Sequence, residues 1–504
     1  MKSLRRSGVL AHITSLPSRE GLGVLGASAR RFVDFLAQAG QSVWQILPLN
    51  AVGRDGAPYS ALTSFAGADH VISLEELAAD GWLNPADLAP LAALPAGRME
   101  LAKVLAIRAP LLAKAAEAFK AEATGAQRAE FEEFRSKNTD WLEDYALFRA
   151  LLEAHDWRDW SAWSAPLRDR EAPAIAAARE AQTARIEAIA IEQFFFDRQW
   201  RELRAYSNSK GIEIFGDLPI YVAQTSADVW TAPHFFNLTA DGKPMTVAGC
   251  PPDAFSDQGQ RWGNPTYAWD KMAAEGFSWW LARMRRALAL YDLVRVDHFR
   301  AFASYWDIPA ADDHARNGVW VKAPGAELFS RFRAEFGAIP IVAEDLGFIT
   351  PDVYELRDAF DLPGMRILQF ELESEPLMGA AAPPAFPARS VAYLGNHDND
   401  TAMGFVADVT PRVLADPPEK RPLLRAALAS PAPHWALLDI LMGSGSDLAI
   451  AQMQDLLGLD GKHRTNIPGT IDGNWAWRFD WAEVAPSVSD RLRDLTAKHR
   501  RLAS

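Results

Sequence analysis

The chain predicts an α/β fold, a (β/α)8 TIM barrel with large, mostly helical insertions, on three observations. Eight short apolar runs ending in polar, Gly or Pro residues fall at 8–18, 42–49, 212–222, 293–299, 340–347, 365–372, 390–397 and roughly 465–470. Helical stretches at 28–39, 278–290, 326–336, 352–359 and 487–502 fall between many of them, the βα alternation that forces neighbouring strands to run parallel. Three runs also end in a carboxylate: Arg295-Val296-Asp297-His298-Phe299, Val342-Ala343-Glu344-Asp345-Leu346-Gly347 and Leu394-Gly395-Asn396-His397-Asp398-Asn399-Asp400. In a parallel barrel an abrupt change from apolar to polar marks the carboxyl end of a strand, where reactive groups gather.

Taken in order, the first run leads to Gly21-Leu22-Gly23-Val24-Leu25-Gly26, which lacks the Lys-Ser/Thr ending of a phosphate loop and reads as a tight turn before the first helix. The gap between the second and third runs is far longer than one crossover helix. Residues 68–210 are rich in Ala, Glu, Lys and Arg, with helical spacing at Phe196, Trp200 and Leu203, and predict an inserted helical subdomain. Its last helix, about 186–209, exits at Lys210-Gly211, where Gly suits a helix end. A second insertion, 223–275, is centred on Gly249-Cys250-Pro251-Pro252-Asp253-Ala254-Phe255-Ser256, too rich in Pro and Gly for a helix or central strand, and predicts a loop shaped over the site. Residues 373–389 read as a surface loop and 411–463 as a helical extension.

At roughly 150 residues per domain, 504 residues would make three domains, but a barrel with insertions reaches this size as one unit, taken here as 1–504. Lys and Arg total 52 against 65 Asp and Glu, a net charge of −13 that argues against capture of nucleic acid or anionic membrane and is compatible with a neutral substrate. Cys250 is the only cysteine, so no intrachain disulfide forms. His12, Thr14 and Ser15 interrupt any apolar signal core after Met-Lys-Ser-Leu-Arg-Arg, and no apolar run approaches the ~20 residues that span a bilayer. The expectation is a cytoplasmic protein, with protein partners unspecified.

Breaking a glycosidic bond requires a proton donor for the leaving oxygen and negative charge opposite the developing oxocarbenium ion, so two carboxyl groups are the minimum. Asp297, Glu344 and Asp398 supply the pair with one to spare. Any one of them alone could equally cap a helix or form a surface ion pair. His298 and His397, adjacent to Asp297 and Asp398, leave a zinc site open as a second reading. Among 18 tryptophans, Trp262, Trp306 and Trp320 sit in loop-like contexts where an indole could stack on a sugar ring, whereas Trp200 has helix-core spacing. No thiolate-activating arrangement surrounds Cys250.

These segments, with His12-Ile13-Thr14-Ser15-Leu16-Pro17-Ser18, Trp44-Gln45-Ile46-Leu47-Pro48-Leu49, Pro58-Tyr59-Ser60, Phe215-Gly216-Asp217-Leu218-Pro219-Ile220-Tyr221-Val222, the loop 249–265, Asn466-Ile467-Pro468-Gly469-Thr470 and Asn474-Trp475-Ala476-Trp477-Arg478, resemble in their joint order the amylomaltase family of 4-α-glucanotransferases, glycoside hydrolase family 77 of the α-amylase clan. The resemblance spans nearly the full length. It implies transfer of an α-1,4-glucan segment from a donor to the 4-hydroxyl of glucose or a maltooligosaccharide acceptor, by a retaining double displacement and without metal or cofactor. It further implies Asp297 as nucleophile, Glu344 as general acid/base and Asp398 as a carboxylate holding sugar hydroxyls. Arg295 is then expected to orient Asp297, with Tyr59, Asp217, His298, His397, Asp345, Trp262 and Phe255 as substrate contacts. Ala254, Asn396, Ile467 and Ala68-Asp69-His70 depart from the family's usual pattern, which bears on acceptor and chain-length preference. A hydrolytic α-glucosidase or amylase of the same clan, and a non-catalytic glucan-binding protein, are the alternatives.

Overall fold

The computed structural model describes residues 5–252, 257–374 and 379–502. Its strands in chain order are β1 (Arg6–Leu10), β2 (Val43–Gln45), β3 (Glu213–Leu218), β4 (Thr246–Cys250), β5 (Gln260–Pro265), β6 (Leu293–Val296), β7 (Ser304–Pro309), β8 (Val319–Lys322), β9 (Ile341–Ala343), β10 (Gly364–Ile367), β11 (Ser390–Tyr393) and β12 (Leu448–Gln452). Eight of them form one parallel sheet in the order β10-β11-β12-β1-β2-β3-β6-β9. Across the remaining seam the Ala343 amide donates to Pro363 O (2.9 Å), so the sheet curls nearly closed into a (β/α)8 barrel.

Side-chain alternation divides this barrel into two apolar layers. Val43, Phe215, Val342, Met365, Ile367, Val391, Tyr393, Leu448 and Ile450 pack together inside it. Their neighbours in sequence, among them Trp44, Ile214, Ile341, Ala343, Ala392 and Ala449, face the surrounding helices instead. A period of two along each strand therefore decides which residues past the strand ends point into the mouth.

The eighth strand corrects the sequence expectation. It is Leu448–Gln452, pairing with both β1 and β11, while 465–470 carries no strand. Pro468 and Gly469 break the ladder there, and the short run Leu448-Ala449-Ile450-Ala451 is apolar enough to pass for the end of a buried helix. The region 411–463 thus contains helices Pro422–Leu428 and Pro433–Gly443 followed by a central strand. The region 223–275 is also more ordered than a loop: β4 and β5 join β7 and β8 in an antiparallel sheet, order β5-β4-β7-β8, beside the barrel mouth. Residues 253–256, including Ala254 and Phe255, lie outside the described residues, as do 375–378 of the expected surface loop, whose remainder from 379 to 389 has no helix or strand.

Between β2 and β3 the chain builds helices Leu101–Glu122, Gly125–Lys137, Leu142–Ala154, Ala172–Ala181 and Thr183–Ser209. Phe196, Trp200 and Leu203 of the last are buried, and Gly211 takes a positive φ of 76° just past its end. One buried ion pair ties this subdomain to the barrel. Glu20 and Arg108, both with fully buried side chains, are paired; Glu20 also accepts from Ser73 Oγ (3.1 Å) and the Leu74 amide (3.0 Å), and Arg108 donates to Ile72 O. Glu20→Ala would strand the guanidinium in apolar surroundings. A loss of about 3–5 kcal/mol is expected, measured as the shift of the urea unfolding transition; an unchanged transition would show that the pair anchors nothing.

Candidate active site

Asp217 on β3 and Arg295 on β6 are direct register partners, so their side chains meet inside the barrel. Arg295 Nη1 donates to both Asp217 oxygens (2.9 and 2.8 Å), and Nη2 lies 3.0 Å from Asp297 Oδ1. The ladder continues past the strand ends: the Asp297 amide donates to Leu218 O (3.0 Å) and the Glu344 amide to Val296 O (3.1 Å). Asp297 and Glu344 are thereby held on adjacent strands at the carboxyl end. Asp297 keeps 27% of its side-chain exposure while Arg295 keeps 3%, so the acid faces the open mouth and the guanidinium supports it from within.

Each acid has distinct surroundings. Glu344 accepts from the amides of His298 (2.7 Å) and Leu346 (2.9 Å) and, among the described residues, touches no cation. Burial pushes its carboxyl above the ordinary range; Arg295 pulls it back, and the charge of Asp297 adds to the rise. Burial also raises Asp297, opposed first by Arg295. Two such neighbours share protons as a pair, and the pair's single proton belongs on Glu344, because only Asp297 has a guanidinium in contact. Asp398 goes the other way. Burial disfavours its charge, but His397 Nε2 at 3.2 Å from Oδ2 and Asn466 Nδ2 at 2.7 Å from Oδ1 hold it well below the usual carboxylate range.

A polar and aromatic wall completes the cluster. Tyr59 OH donates to Asp217 Oδ2 (2.7 Å), which leaves its oxygen to accept from His397 Nε2 (2.9 Å). Its ring stacks on His397 (centroids 5.3 Å, 14°) and tilts against Trp475 (5.6 Å). Burial, with Arg300 and Arg295 nearby, pushes His298 down to about 3, so it is neutral; its Nε2 is buried with no hydrogen-bond partner among the described residues. Trp262, on β5 and 37% exposed, meets the edge of His298 (4.8 Å, 90°).

The structure therefore gathers Tyr59, Asp217, Trp262, Arg295, Asp297, His298, Glu344, His397 and Asp398. Asp345 is a correction: it does not join them. Alternation turns it to the opposite face from Glu344, where its fully buried carboxylate accepts from the Met365 amide (2.7 Å) and Arg357 (2.5 Å), bracing the seam between β9 and β10. Phe255 lies outside the described residues. Asn466, Trp475 and Arg464, whose Nη2 donates to Asp398 O (2.7 Å), are contacts the sequence did not single out. The motif 466–470 is recognisable, but read as a strand it gives no reason for Asn466 to reach Asp398; in the structure a turn, with the Trp475 amide on Thr465 O (2.8 Å) and the Ile467 amide on Asn474 Oδ1 (2.9 Å), delivers it. Among the described residues, no three His, Cys, Asp or Glu side chains converge as a metal-binding group.

Comparison with known proteins follows the same geometry. A family described as 4-alpha-glucanotransferase matches residues 11–483. The 4-alpha-glucanotransferase of Thermus thermophilus is 43% identical over 511 residues, covering 100% of both chains. That of Streptococcus pneumoniae (strain ATCC BAA-334 / TIGR4) is 43% identical over 504 residues, 99% of this chain and 98% of its own. Among solved structures, amylomaltase from Streptococcus agalactiae in complex with acarbose superposes with a TM-score of 0.93 at 34% identity, over 99% of this chain and 100% of that one.

Proposed function

Since the chain belongs to the 4-alpha-glucanotransferase family and is an amylomaltase-type transferase acting on α-1,4-glucans, we propose that it works by a retaining double displacement at Asp297. The observation that carries the reading is the unequal environment of the two acids: a guanidinium at 3.0 Å from Asp297, only backbone amides on Glu344. Asp297, ionised, attacks the anomeric carbon while Glu344 gives its proton to the glycosidic oxygen, releasing the shortened glucan and leaving a β-linked ester on Asp297. Glu344 then takes the proton of an acceptor's 4-hydroxyl, whose oxygen displaces Asp297 and restores the α-linkage.

The remaining groups position sugar in this proposal. Asp398, held ionised, accepts hydroxyls of the reacting ring and balances its developing positive charge. His298 Nε2, without a partner among the described residues, is a site a sugar hydroxyl can satisfy, and Trp262 offers ring surface beside it while Tyr59 offers its ring next to His397. Trp262, set against His298 at the mouth, limits the access of water, which favours a sugar acceptor over hydrolysis. Glucose and maltooligosaccharides are the proposed acceptors. A cytoplasmic setting fits a chain whose single thiol is Cys250.

Maltotriose alone tests the reading. A ladder of maltotetraose, maltopentaose and longer products together with glucose is the expected outcome by chromatography. Only glucose and maltose would make the protein a hydrolase, and unchanged maltotriose would leave a glucan-binding role.

A further inference from the structure

The rim beside Glu344 carries an aromatic arrangement that bond cleavage at Asp297 does not use. Arg300, three residues past Asp297, sets its guanidinium 3.7 Å from the Trp320 ring centroid and 5.8 Å from that of Phe348, four residues past Glu344. Its Nη1 donates to Phe348 O (2.6 Å) and its Nη2 to Ser304 Oγ (3.1 Å). One buried cation therefore ties both rings to the ends of β6 and β9, and Trp306 buttresses Trp320 edge-on (5.0 Å, 63°). Yet Phe348 is 67% exposed and Trp320 38% exposed. Aromatic surface fixed in place by a cation but left open to solvent marks an interaction site rather than core.

We propose that Phe348 and Trp320 form a stacking platform for the acceptor-side arm of the glucan, beyond the sugar that Glu344 serves. The inference rests on Glu344 being the acid/base. That group stands on the side of the departing and arriving oxygen, so the glucan leaving and the glucan entering both run out past the residues that follow it. The occupant is a glucan rather than a protein because the platform is continuous with the catalytic strand ends, and the apolar C–H face of a pyranose suits an aromatic ring. Glucose, filling only the place beside Glu344, does not reach it.

Phe348→Ala and Trp320→Ala test this in the full chain, with α-maltotriosyl fluoride as donor and either glucose or maltohexaose as acceptor. The expected result is a rise of about five- to tenfold in the KM for maltohexaose, with the KM for glucose, the kcat and the donor KM unchanged, since fluoride leaves no sugar on the acceptor side. Equal effects on both acceptors, no effect on either, or a raised donor KM would overturn the platform alone. Absence of transfer to either acceptor by the unaltered enzyme would overturn the catalytic reading and the platform with it. The melting temperature of each variant separates these outcomes from misfolding.

Discussion

Asp297→Ala is expected to lower transfer from maltotriose by about 10⁴-fold or more, because it removes the atom that bonds to the anomeric carbon and no neighbour can replace it. Asp398, the next carboxylate, is committed to His397 and Asn466. Asp217 is occupied by both bonds from Arg295 Nη1 and by Tyr59. The fold should survive. Arg295 keeps Asp217 as its partner when Asp297 is gone, so no buried charge is left unpaired, and the melting temperature should move by no more than about 2–4 °C. Steady-state kinetics on maltotriose, paired with a thermal melt, decides the matter: near-normal turnover in a folded Asp297→Ala protein would remove Asp297 from the centre of the mechanism.

Asp297 was legible in the sequence for a physical reason that also shows where sequence reading stops. A short, largely apolar strand such as Leu293–Val296 or Ile341–Ala343, followed at once by an acid, has only one way to place that acid in a parallel barrel, at the carboxyl end, and both Asp297 and Glu344 obey it. The same alternation could have excluded Asp345, since Val342 and Glu344 face inward and the residue between Glu344 and Leu346 must face out. Side-chain parity needs a known register, however, and register comes from pairing with β6 and β10. Asn466 was hidden for a different reason: its approach to Asp398 depends on a turn closed by Asn474 and Trp475, which has no periodic pattern. The strand Leu448–Gln452 was missed because a short apolar run in a helical context has the same composition as a helix end. The antiparallel sheet at the mouth escaped because half of it lies after β6, beyond the segment the sequence marks as an insertion.

Glu344→Gln separates proton transfer from attack, and its effect should depend on the leaving group. With maltotriose the sugar oxygen must be protonated as it leaves, so transfer should fall by about 10²–10⁴-fold. With α-maltotriosyl fluoride no proton is needed. Asp297 should still expel fluoride in one rapid turnover, after which the ester persists, because no base remains to activate the acceptor hydroxyl. Intact mass should then show a maltotriosyl adduct, and peptide mapping should place it on the segment containing Asp297; an adduct elsewhere would reassign the nucleophile. The pH dependence follows the same logic. In the unaltered enzyme Glu344 must carry its proton for the first step, and that proton is lost as pH rises through the group's pKa. Burial raises that pKa above the ordinary glutamate value of about 4.3, so the alkaline limb of kcat/KM for maltotriose should lie well above it. The acid limb follows Asp297, which must lose its proton to attack; burial lifts that group above the ordinary aspartate range and Arg295 opposes the rise. Fluoride release by Glu344→Gln should keep the acid limb and lose the alkaline one. If the alkaline limb persists in that variant, some group other than Glu344 sets it, and the proton donor must be sought among the other residues of the mouth.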